Sequence, residues 1–65
     1  MPTAQQKMKL YQIAQKAIDE QDTRMAFNLV HYLNTRYHLN SEGVREYLEL
    51  HGVDWREFEQ LLEES

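Results

Sequence analysis

The C-terminal stretch His51–Ser65 reads HGVDWREFEQLLEES. A glycine, a small apolar residue, a carboxylate and then apolar residues at helical spacing are the beginning of a well-specified helix. Asp54 is placed to accept from the free N–H groups of the first turn, and Glu57 three residues on completes a capping box. Val53, just before the cap, can staple onto Phe58. Trp55, Phe58, Leu61 and Leu62 then share one face. The helix closes in Glu63 and Glu64, where acidic charge opposes the macrodipole, so its last turn is expected to fray.

Upstream, Gly52 reads as the left-handed residue that stops a preceding helix. Asn40 or Ser41 caps that helix, Glu42 lies in its dipole-favourable first turn, and Val44, Tyr47, Leu48 and His51 are its candidate inward positions. The helix before it, about residues 23–37, is the most apolar. Ala26, Leu29, Val30, Leu33 and Tyr37 form a stripe that Met25, Phe27 and Tyr32 widen to well over half the circumference. Arg24, Asn28, His31, Thr35 and His38 make the polar stripe. So much apolar surface suits a central helix or half of a self-association face.

The first helix starts at Thr3, whose T-x-x-Q spacing with Gln6 suggests a capping box. Met8, Tyr11, Ala14, Ala17 and Ile18 recur at helical spacing, with Leu10 and Ile13 widening the face. Continuing the stripe one turn would put Asp22 in the core. Asp22 is better an N-cap accepting from Arg24 or Met25, so the chain breaks at about residues 20–22. A capping aspartate between alanine-bearing helices is what a tight antiparallel hairpin uses. With no period-two alternation and few breakers (two glycines, one proline), the fold expected is all-α: a single four-helix domain over residues 1–65, a hairpin of helices 1 and 2 with a helix-turn-helix-like C-terminal pair folded across it.

At 65 residues the chain is near the lower limit for folding alone, and such chains usually need a staple, tight helical packing or a partner. It has no cysteine, so no disulfide or thiolate metal site, and no apolar run approaches the roughly 20 residues of a membrane span. No signal-peptide apolar block follows the N-terminal lysines, and a cytoplasmic location is expected. The net charge of −4 is uneven. Residues 1–38 hold five Lys or Arg against three acids, a balance of +2, and residues 39–65 hold two Arg against eight acids, a balance of −6. A dipolar chain can pair its own halves, pair with a copy of itself, or offer its acidic end to a basic partner.

Residues 44–62 have the apolar spacing of a helix-turn-helix around Gly52. Leu48 stands where that motif usually has alanine, which puts the close helix crossing in doubt. The would-be reading helix carries Asp54, Glu57, Glu59, Glu63 and Glu64 against Arg56. Duplex binding rests on neutralising phosphates with Lys and Arg, so this face would repel DNA. Lys7, Lys9 and Lys16 on helix 1 make only a small patch for phosphate.

Catalytic signatures are equally thin. His31 and His38 lie two turns apart, about 10–11 Å along a helix axis, too far to share one metal without other ligands. No HExxH motif, nucleophile elbow, P-loop or dinucleotide glycine motif occurs, and Ser41 reads as a cap. No cofactor or metal is implied. Seven aromatic rings are more than so small a domain readily buries, and Trp55 and Tyr32 are the ones expected at the surface. The leading expectation is therefore a non-enzymatic protein-binding or regulatory module, docking a helical surface on a protein partner or its own copy. Tyr32, Trp55, Glu57 and Glu59 are the candidate contacts. The alternative is a helix-turn-helix transcriptional regulator, or an acidic DNA mimic.

Overall fold

The structure is a computed structural model that describes residues 8–64. Its described residues form four helices and no strand: α1 (Leu10–Glu20), α2 (Thr23–Arg36), α3 (Ser41–Leu50) and α4 (Trp55–Glu63). The Thr3–Gln6 capping box lies outside the described residues. Within them, α1 starts later than its apolar stripe suggests: Met8 and Lys9 precede the helix. The Lys9 backbone N–H donates to Gln12 Oε1 at 2.8 Å. That is one half of the same device, about a turn and a half further along the chain; the lysine side chain has no acceptor with which to return the bond.

Each break has an identifiable cause. Gln21 takes a left-handed conformation, φ 54°, and the N–H groups of Gln21 and Asp22 donate back to the carbonyls of Ile18 and Ala17. Those two bonds are a Schellman closure, here made without glycine. Asp22 then caps α2 by accepting from the Met25 N–H at 3.0 Å. At the other end of α2, His38 is left-handed, φ 57°, and Tyr37 is the C-cap. His38 is therefore beyond the helix and not on the polar stripe of α2 with His31. The α3 cap is Asn40, accepting from the Gly43 N–H at 2.8 Å. Gly52, φ 84°, closes α3 with a second Schellman pair, Gly52 to Glu49 and Val53 to Leu48. Asp54 accepts from Arg56 at 2.9 Å and Glu57 at 3.4 Å. The Glu57 carboxylate forms no return bond among the described residues, so only half of that capping box is made.

The core is Ala14, Ala17 and Ile18 of α1, Ala26, Leu29 and Leu33 of α2, Val44 and Leu48 of α3, then Val53, Phe58 and Leu61. The three alanines are fully buried and let α1 and α2 pack closely as an antiparallel pair. Leu48 is equally buried, a larger side chain at the position where a tight helix crossing prefers alanine. Phe58 is the largest fully buried side chain, and α4 lies against both α1 and α2. The staple pair Val53 and Phe58 both belong to this core. Removing such side chains from water stabilises by about 1.5–3 kcal/mol each. No described helix is long and apolar enough to cross a membrane.

Candidate functional site

The stripe on α2 is broader than the core can cover, and its two flanks are left for other use. On one flank, Val30 and Asn34 are an i, i+4 pair facing α4 and the start of α3. On α4, Trp55, Glu59, Leu62 and Glu63 fall at i, i+4, i+7 and i+8, one continuous strip. Together they line a groove of about 270 Å³ between α2 and α4. Its floor is apolar, made of Val30, Val44, Trp55 and Leu62; its rim is Asn34, Ser41, Glu59 and Glu63.

The Gly52 turn and the Asp54 cap set the geometry of this groove, because they fix where α4 begins. Trp55 at the first helical position is half-buried and packs at a tilt on Phe58, ring centroids 5.8 Å apart. The surface exposure expected for Trp55 is therefore wrong: its lower part is anchored to the core, and the remainder forms groove wall. Phe27, 43% exposed, lies one turn before Val30 on the same side of α2, outside the groove lining. Glu59 and Glu63 take part in no ion pair among the described residues. The ion pair formed there is Arg45–Glu49 on α3, at 3.4 Å and exposed on both sides, worth about 0.3–0.5 kcal/mol.

The four expected contact residues do not form one constellation. Trp55 and Glu59 share the groove. Glu57 lies on the other side of α4, over a shallow depression with Gln21, Gln60 and Glu64. Tyr32 is on the opposite flank of α2, 41% exposed, its ring edge-on to Tyr37 at 5.9 Å. Tyr37, expected on the core stripe, is 52% exposed, because α2 ends before it and its backbone has left helical geometry. Sequence reasoning missed Asn34, Leu62 and Glu63 as groove residues. The signal was present in the spacing of α4, but nothing local pairs that strip with α2.

A third feature ties α1 to α3. Tyr11 and His51 stack face to face, centroids 4.4 Å apart and 3° between planes, and Tyr47 meets His51 at 4.9 Å. His51 is exposed, so it covers the outside of the α1–α3 contact and does not enter the core. Burial pushes the Tyr47 phenol above its ordinary value of 10.0; the Tyr11 backbone N–H beside it acts the other way, and the Tyr11 and Tyr37 phenols add to the rise. Among the described residues, no three His, Asp or Glu side chains converge as a metal site would require.

No protein-family model, curated protein or solved structure matches the chain.

Proposed function

We propose that the protein is a non-enzymatic interaction module whose α2–α4 groove takes one or two bulky apolar side chains from a basic, helical segment of a protein partner. The observation that carries this reading is an apolar floor holding the half-buried Trp55, with Glu59 and Glu63, in no ion pair among the described residues, on the rim. The groove is smaller than the roughly 300–1,000 Å³ of pockets that enclose a small-molecule ligand, and its size suits anchor side chains. A tryptophan held by the core keeps little conformational freedom to lose on binding, which favours it as a contact centre. The acidic rim adds on-rate and selectivity for a cationic partner more than raw affinity. A helix laid along the groove would present anchors at i and i+3 or i+4 with Lys or Arg beside them.

Duplex DNA is a poor fit to the same surface. The exposed side chains of α4 and its C-cap include Glu57, Glu59, Glu63 and Glu64 against Arg56, and phosphate contacts need the reverse balance.

The test uses the intrinsic fluorescence of Trp55, the chain's single tryptophan. The probes are a leucine–lysine amphipathic peptide, its leucine–glutamate counterpart and a DNA duplex. The reading predicts a saturable blue shift with the lysine peptide alone, weakened on the order of tenfold in the Glu59→Lys/Glu63→Lys double variant. Equal responses to both peptides, or a response to the duplex alone, would overturn it.

A further inference from the structure

We infer that the partner segment seated in the α2–α4 groove carries its cations on one flank only: two Lys or Arg about one helical turn apart facing α4, with uncharged polar residues on the flank facing α2 and α3. The inference rests on the reading of that groove as a docking site and adds the pattern it selects. Both charges of the rim stand on one wall. Glu59 and Glu63 line the groove from α4, whereas the opposite wall offers Asn34 of α2 and Ser41, the first residue of α3, neither of them charged. All four are exposed. Glu59 and Glu63 are i and i+4 on one helix, so they lie about 6 Å apart along its axis. A second helix laid along the groove meets that spacing with its own residues i and i+3 or i+4.

Nothing basic in the described chain cancels this asymmetry. No Lys, Arg or His lines the groove. Arg56 lies one turn before Glu59 yet forms no ion pair with it among the described residues, where Arg45–Glu49 on α3 is the pair formed. No basic residue occupies the last turn of α4, so Glu63 adds to the negative end of the helix macrodipole and does not offset it. A partner's cation at that end is held by both. On the other wall a cation gains no opposite charge and gives up part of its hydration. The Asn34 amide and the Ser41 hydroxyl each donate and accept, which matches an uncharged polar side chain. Between the walls, the apolar floor of Val30, Val44, Trp55 and Leu62 takes the anchors.

Two helical peptides of identical composition and net charge test this on the full chain. Both carry the same leucine anchors and two lysines among glutamines. In one the lysines lie on a single flank one turn apart; in the other they lie on opposite flanks. A one-sided helix can reverse its direction to bring its lysines to α4, so chain polarity does not blur the comparison. Titration followed by Trp55 emission should show the one-sided peptide binding about three- to fivefold tighter at low salt, with the gap closing at high salt. Asn34→Glu puts an acid on the neutral wall at an exposed site. It should bring the split peptide close to the one-sided one while circular dichroism stays helical. Equal affinities in the parent would overturn the inference and leave the groove as a docking site. So would a preference that Asn34→Glu does not narrow. A chain that binds neither peptide would overturn the docking reading itself, and this inference with it.

Discussion

Gly52→Ala isolates a single physical term. A methyl group built at Gly52 meets nothing within 4 Å, so no clash or lost contact enters. What remains is the backbone: φ is 84°, where an L-residue is disfavoured by about 1–2 kcal/mol. The alanine variant also has a less disordered unfolded chain, which offsets about 0.4–1 kcal/mol of that. The net loss is about 1 kcal/mol, equivalent to a fall in Tm of about 4–8 °C for a domain of this size. Urea unfolding followed by circular dichroism reads it directly, with an unchanged m-value as the sign that only stability has moved. Gly43→Ala is the internal comparison. It gains up to about 1 kcal/mol of helix propensity, but its methyl would lie 3.2 and 3.3 Å from Leu39, so the two effects should nearly cancel. A Gly52→Ala protein as stable as the parent would refute the reasoning, since it would mean that the left-handed closure of α3, and with it the placement of Trp55, is not built as described.

Two further predictions concern the core and the tyrosine cluster. Phe58→Ala removes the largest fully buried ring at a cost of about 3–5 kcal/mol; against a total of about 3–10 kcal/mol for 65 residues, the variant should lose at least about a third of its stability, read as a lowered urea midpoint or outright loss of the helical dichroism. Tyr47 makes stability fall in alkali: its phenol is raised in the folded state above 10.0, so its contribution is complete below that pH and is lost as pH rises through the folded value. Tyr47→Phe should flatten that alkaline slope in urea melts, and a slope identical to the parent's would show that Tyr47 does not cause it.

Much of the fold was legible because its punctuation is local. Asp22, Asn40 and Asp54 cap the helices that follow them through bonds to N–H groups two or three residues away, and Gly52 closes α3 within five residues. The left-handed turns at Gln21 and His38 were not legible, since neither residue type demands that conformation; they are closed by backbone bonds, Asp22 to Ala17 and Leu39 to Leu33, that any residue type could make. The start of α1 was misread for a related reason. The apolar stripe continues back through Met8, and the period alone cannot say where a helix ceases to be held. The candidate site was only half legible. Trp55 and Glu59 follow from one strip of α4, whereas Val30 and Asn34 join them only because α4 folds onto α2, a contact no local pattern encodes. Tyr32 stood out for its excess apolar surface, but which flank it occupies depends on where the core lies.

Whether the α2–α4 groove is the partner-binding surface is read out by amide chemical-shift mapping by ¹H–¹⁵N NMR during titration with the leucine–lysine peptide. The account predicts shifts concentrated on Val30, Asn34, Glu59, Leu62 and the Trp55 indole, with Glu57 and Tyr32 nearly silent. Shifts centred on Tyr32, Tyr37 and Glu57, or no localised response at saturating peptide, would contradict it.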